Sequence, residues 1–228
     1  IAESYNLLKH FIDRWIDGEH DRDGDLLPEW DHAIQTGWED NPLFNRWQPN
    51  GKGYPPGIIE APDLAAYLFH ECKAMASLAE QLGHKDDKQQ YTALAERVRT
   101  SAQEMWDKRR KQFCYRDRDS HETPDGGVLF SGEGSGTFHL ENTFQNLTRV
   151  CLKIKHKFHS PVSLEVQIIG KDAEGKIDLH KVIASPSDWT ENGLILTCMK
   201  AYRTIDQISI WNLPDGVGWK LEYLELNQ

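Results

Sequence analysis

Two hydrophobic periods divide this chain, and the change from one to the other limits what it can fold into. Up to Trp106 the apolar residues recur at helical spacing. From about Val128 that spacing disappears and short β-rich runs replace it. Glu3 to Asp17 reads as an amphipathic helix, with Leu8, Phe11, Ile12, Trp15 and Ile16 on one stripe, Ser4 as N-cap and Gly18 as stop. The clearest helix opens at Ala61-Pro62-Asp63. Leu64, Tyr67, Leu68, Cys72, Met75, Ala79 and Leu82 form its stripe, and Gly83 falls where a left-handed C-terminal cap belongs. A partner from about Asp86 to Asp107 turns Tyr91, Leu94, Ala95, Val98, Ala102, Met105 and Trp106 inward. Two helices of similar length joined by a short polar turn predict an antiparallel hairpin.

Beyond the hairpin, Gln112 to Arg116 reads as a short strand and Pro124-Asp125-Gly126-Gly127 as a turn or linker. Strand-like runs follow at residues 149–158, 162–169, 177–183, 194–199, 205–211 and 219–226. Turns at Gly170-Lys171-Asp172, Pro186-Ser187-Asp188 and Pro214-Asp215-Gly216 separate some of them. Residues 162–168 alternate cleanly, which places one face on a core and one in water. Short strands at regular spacing predict an antiparallel β-sandwich of jelly-roll type. The expected organisation is therefore a helical domain over 1–125 and a β domain over 126–228.

Hydrophobic content of 39% beside 27% charged residues is that of a globular chain. A net charge of −10 argues against nucleic acid or an anionic membrane as partner. No apolar run approaches the length that crosses a bilayer. Cys72, Cys114, Cys151 and Cys198 show no Cys-x-x-Cys spacing, so no zinc site is implied. Cys151 and Cys198 lie in strand-like runs and would pair only in an oxidising compartment; buried free thiols are the expectation. The chain opens on Ile1 inside a helical pattern, so its natural N-terminus is expected upstream.

One stretch carries the chemistry. Residues 29–47 hold Glu29, Asp31, Glu39 and Asp40 among Trp30, Trp38 and Trp47, with Asn41 and Arg46, and follow neither regular period. Long irregular loops are usually functional. Indole faces beside carboxylates suit a sugar, whose C–H faces stack and whose hydroxyls need fixed partners. Trp30, Trp38 and Trp47 are then stacking walls, Glu29, Asp31 and Asn41 hydroxyl partners, and Arg46 a clamp. The plainer alternative makes the tryptophans core cover and the acids solvated. Just upstream, Asp21, Asp23 and Asp25 alternate around a glycine in a pattern that suits a structural Ca²⁺, although His32 stands where an EF-hand has glutamate. A polar turn ordering the approach to Glu29 is the competing reading. No cofactor is otherwise required.

Thr36-Gly37-Trp38-Glu39-Asp40-Asn41-Pro42 resembles the Ser-Gly-aromatic-Asp-Asn-Ser-Pro segment of the inverting (α/α)6 glycoside hydrolases. That group includes trehalases, processing α-glucosidases and mannosylglycerate and glucosylglycerate hydrolases. Asp23 to Trp30 resembles its bacterial members. Asp63 and Tyr67 match a further family segment, in which Ala65 replaces an asparagine. The resemblance covers about Glu3 to Asp119. It implies part of an (α/α)6 toroid carrying the β-sandwich as an insertion, and cleavage with inversion of α-linked glucosides, mannosides or related oligosaccharides. Inversion needs an acid and a base, both carboxyl groups. Glu39 falls at the family's acid position, and Asp40 is the alternative one residue on. The family's base lies in later helices, so the resemblance implies that the remaining part of the same enzyme supplies it. In the β region, Trp189, Trp211 and Trp219 are either sugar platforms or core. A non-catalytic carbohydrate-binding or scaffold protein is the alternative function.

Overall fold

The computed structural model describes residues 2–38, 40–48, 51–158 and 160–226. The chain divides into two units, residues 1–38 with 56–118 and residues 39–55 with 119–228.

The first unit holds helices α1 (Ala2–Arg14), α2 (Pro62–Leu82) and α3 (Lys85–Glu104). Short strands β1 (Ile59–Glu60), β2 (Trp106–Asp107), β3 (Gln112–Phe113) and β4 (Arg116–Asp117) flank the hairpin. Proline suits the first turn of α2 because its missing N–H has no helical partner there. Gly83 ends the helix at φ +78°, its N–H donating to the carbonyls of Ala79 and Glu80. Leu68, Cys72, Met75 and Ala79 pack with Tyr91, Leu94, Ala95 and Val98, and Tyr5 and Ile12 of α1 join the same core. Tyr67 and Trp106, expected on the buried stripes, are exposed instead. Strand β1 pairs antiparallel with β4, and Glu29 adds a bridge to Glu60 on the other side.

The second unit is built on six strands: β5 (Val128–Glu133), β6 (Gly136–Ile154), β7 (Leu164–Lys171), β8 (Ile177–Ala184), β9 (Leu194–Trp211) and β10 (Gly218–Tyr223). They pair antiparallel in the order β5-β10-β6-β9-β7-β8. Val150, Leu152, Ile154, Leu164, Val166, Ile168, Ile208, Ile210, Trp219 and Leu221 belong to its core. The runs expected at 194–199 and 205–211 are one strand, because β9 continues through the polar middle with register shifts against β6. At the bulge between Ile169 and Gly170, a Cβ on Gly170 would lie 2.1 Å from the Thr204 carbonyl oxygen. Only glycine permits that approach.

The expected fold class is corrected here. Three α-helices occur among the described residues, and more of those residues lie in antiparallel strands than in helices, so the (α/α)6 toroid is not formed. Helices α2 and α3 bury much of their apolar stripes against each other and against α1. The strands that were to make a jelly-roll sandwich are hydrogen-bonded into one six-stranded ladder. All four cysteines are free and buried. Among the described residues no helix is long and apolar enough to cross a membrane.

Candidate functional site

The first unit buries an ionic cluster where three short backbone segments meet. Glu29 bridges to Glu60 on β1, and Glu60 pairs in register with Arg116 on β4. These pairings bring side chains from three distant parts of the chain into one polar layer. Glu29 and Glu60 are 0% exposed, and Arg116 and Asp117 are buried beside them. The Arg116 guanidinium donates to the Glu60 carboxylate through Nε and to Asp25 through Nη2 at 2.6 Å. Burial pushes the Glu60 carboxyl up, and the Arg116 charge and hydrogen bond oppose that shift.

Glu29 sits in a second net. Arg22 donates through Nη1 to Glu29 Oε2 at 2.8 Å and through Nη2 to Asp31 Oδ1 at 2.9 Å. His20 lies between Asp17, 3.3 Å from its Nδ1, and Asp31, 3.1 Å from its Nε2. The second Glu29 oxygen, Oε1, is buried without a hydrogen bond among the described residues. Burial pushes the Glu29 carboxyl up to about 7, opposed by Arg22 and Arg118. A carboxylic acid that keeps its proton near neutral pH suits acid–base work, but Glu29 is closed to solvent.

Trp30 is buried edge-on to Trp15 with ring centroids 5.4 Å apart, and its indole Nε1 has no acceptor among the described residues. Both rings line a cleft of about 230 Å³ between α1 and α2, with Phe11, Tyr67 and Glu71. Trp38 is 61% exposed on a bend that follows a short 3-10 turn, Ala33–Thr36. Of the proposed acids, Glu39 lies outside the described residues, and Asp40 is exposed with Asn45 Nδ2 at 3.4 Å.

Asp40, Asn41, Arg46 and Trp47 belong to the second unit. Asn41 Oδ1 accepts from the Leu43 N–H at 2.9 Å, which fixes a turn. Arg46 donates to Asp188 Oδ1 at 2.9 Å and lies over the Trp47 ring, 4.8 Å from its centroid. Trp47 is 62% exposed. Thus Glu29 and Asp31 share Arg22 in the first unit, Arg46 and Trp47 stack in the second, and Asp40 is joined to neither set.

The three aspartates expected to hold calcium part company. Asp21 spends both oxygens on backbone N–H groups, Gly24 at 3.0 Å and Leu26 at 3.1 Å. It therefore shapes a turn in which Leu26 takes a positive φ of 73°. Asp23 and Asp25 instead offer oxygens within 4.8 Å of each other and of Glu60. Those three carboxylates could hold a cation, although the Arg116 guanidinium already offsets the charge of Asp25 and Glu60.

Arg22, Glu60 and Arg116 were not singled out from sequence. The available signal was a charge inside an apolar run, as in Ile58-Ile59-Glu60-Ala61, where a buried charge requires a partner. Trp189 and Trp219 are core, and Trp211 is exposed.

Comparison with known proteins gives the layer its context. No curated protein matches the chain. Among solved structures, one described as "Crystal structure of PirA" aligns at 14% identity over 46% of this chain and 97% of that one, with a TM-score of 0.27. That score is too low to speak for fold or function. The sequence profile of the "Mannosylglycerate hydrolase MGH1-like glycoside hydrolase domain" matches residues 13–140, more than half of the chain. That span contains Glu29, Glu60, Arg116 and the whole tryptophan-rich stretch, and on its strength the chain belongs to the MGH1-like glycoside hydrolase family.

Proposed function

We propose that this chain acts in the hydrolysis, with inversion, of α-linked glucosides, mannosides or related oligosaccharides. The observation that carries this reading is the family match across residues 13–140, which takes in the segment from Glu29 to Trp47. Glu39 is the proposed general acid, with Asp40 as the alternative one residue along. Trp30, Trp38 and Trp47 offer apolar faces to the sugar ring. Glu29, Asp31, Asn41 and Arg46 are the proposed polar partners, directly or by holding the loop in place. The base is proposed to come from polypeptide outside these 228 residues, the remaining part of the same enzyme.

The buried ionic layer supports this scheme as scaffold. Arg22 ties Glu29 to Asp31 at the entrance to the loop, and the Arg116–Glu60 pair ties the preceding turn to the hairpin. These charge-assisted bonds anchor the N-terminal side of the loop.

A second reading is favoured by one observation. Asp40, Trp38 and Trp47 are all exposed, as a non-catalytic carbohydrate-binding or scaffold protein of the same family would allow.

The discriminating experiment uses the enzyme that carries this domain. It is incubated with α-mannosylglycerate, α-glucosylglycerate and trehalose while proton NMR follows the anomer first released. An inverting enzyme releases the β-anomer. Glu39→Gln should lower turnover by about a hundredfold or more, and Asp40→Asn much less. Full turnover in both variants would remove the acid assignment. Sugar binding without turnover in the wild type would select the second reading.

A further inference from the structure

The second unit carries a basic run inside an acidic protein. The chain has a net charge of −10, yet Lys153, Lys155, His156 and Lys157 fall within five residues at the end of β6. Two hollows open along this run. The first, of about 290 Å³, is lined by Lys52, Lys153, Lys155, Asn192 and Glu225. The second, of about 260 Å³, is lined by His156, Lys157, Phe158, Trp189, Thr190 and Glu191. Both have the same two walls, the backbone running out of β6 and the turn leading into β9.

Those walls are held firmly. The turn closes with Thr190 N–H donating to the Gly193 carbonyl at 2.8 Å and Gly193 N–H returning to Thr190 at 3.1 Å. A Cβ on Gly193, at φ +110°, would sit 2.0 Å from the Ile154 carbonyl oxygen, so the turn presses directly on the basic run. Trp189 donates through Nε1 to the Val162 carbonyl at 2.8 Å. Phe158 meets it edge-on at 4.9 Å, and His156 lies against Phe158 at 4.3 Å.

The lysines divide by role. Lys52 is largely buried and donates to the Glu225 carbonyl at 2.9 Å, with the Glu225 carboxylate 3.5 Å away. Lys153 pairs with Glu222 at 2.6 Å. Lys155 and Lys157 are exposed and make no ion pair or hydrogen bond among the described residues. Two uncommitted ammonium groups therefore stand over hollows that also contain carboxylates, an amide and an aromatic trio.

We propose that this groove binds an acidic oligosaccharide of the uronic acid class. Its carboxylates would meet Lys155 and Lys157, its hydroxyls Asn192, Thr190, Glu191 and Glu225, and one ring the Phe158 face. A neutral glycan leaves the two lysines without purpose. A dense polyanion such as nucleic acid is disfavoured by Glu191 and Glu225 in the hollows and by the net charge of the chain. The family match ends at residue 140, before the β6 end and the β9 turn, so the choice of a carbohydrate rests on the function proposed above together with the polar and aromatic lining of the hollows. The site lies apart from the proposed acid in sequence, and its test does not depend on hydrolysis.

Calorimetric titration of the full chain with hexagalacturonate tests the groove, with maltohexaose and a single-stranded DNA dodecamer as comparators. The uronate should bind, and more weakly as sodium chloride is raised. Lys155→Gln with Lys157→Gln should weaken it about tenfold, the loss of two exposed ion pairs at the strong end of their range. The unfolding midpoint should stay unchanged, because both side chains are exposed. The proposal is overturned by absence of uronate binding, by equal affinity for maltohexaose, by tighter binding of the DNA, or by full affinity in the double variant.

Discussion

The two units bury different things. Among the described residues of the first, Asp21, Glu29, Glu60, Arg116 and Asp117 lie below the surface with the hydrocarbon. In the second, the ionised group so buried is Arg149, which donates to the carbonyls of Cys198 and Met199 and to Asp119. Its core is otherwise Val, Ile, Leu, Trp and Tyr. Burying a charge costs several kcal/mol before pairing offsets it, so an ionic layer is a poor way to gain stability. The first unit therefore holds its short strands and turns together through buried charge pairs, and the second holds its strands together through hydrocarbon packing.

The largest expected effect would break this contrast directly. Arg116→Ala leaves Glu60 buried without its cation and should lower unfolding free energy by about 3–5 kcal/mol, measured by urea denaturation. Replacing both partners with apolar residues, Glu60→Met with Arg116→Leu, should recover most of that loss. If the double variant is as unstable as the single one, the layer is a source of stability and the contrast fails.

Next comes the pH dependence of Glu29. Its carboxyl is raised from an ordinary value near 4.5 to about 7, so the folded state holds a proton that the unfolded state has lost between those values. The stabilisation is complete below about 4.5 and is lost as pH rises through about 7. Relative to Glu29→Gln, which cannot titrate, the wild type should lose about 3 kcal/mol across that window. A pH-independent difference between the two would show that Glu29 stays ionised beside Arg22.

A smaller effect belongs to the sheet. Gly170→Ala forces a methyl against the Thr204 carbonyl and should cost about 1–3 kcal/mol by overpacking. The smallest is Arg46→Gln, which removes a partly exposed pair with Asp188 and should change stability by less than about 1 kcal/mol. A larger loss would place Arg46 with the buried charges rather than with the exposed loop.

Much of the helical unit was legible in advance. The α2 stripe, its opening proline and its closing Gly83 are local signals, and apart from the exposed Tyr67 each appears where the spacing set it. Strand β7 was equally readable, because alternation along Leu164–Lys171 is a property of that segment alone. The early strands were not. Val128–Glu133 and the first half of Gly136–Ile154 are mostly exposed or half-exposed, and their apolar residues form no long alternation. They are strands because β10 and β9 supply hydrogen-bonding edges. Of the site, Glu29 and Trp30 were marked by composition, whereas Glu60 and Arg116 meet across 56 residues and no window contains both.

By itself, then, the sequence determined the periods of its main helices and of β7, the place where α2 stops, the company its tryptophans keep with carboxylates, and a family likeness. These are decided within a few residues, by side-chain spacing and backbone freedom. The tertiary structure decided that the described residues form three α-helices and a six-stranded ladder in place of a helical ring, and which acids are buried. Burial and charge pairing depend on what arrives from elsewhere in the chain, and hydrogen-bonded edges and opposite charges act only once distant segments are brought together.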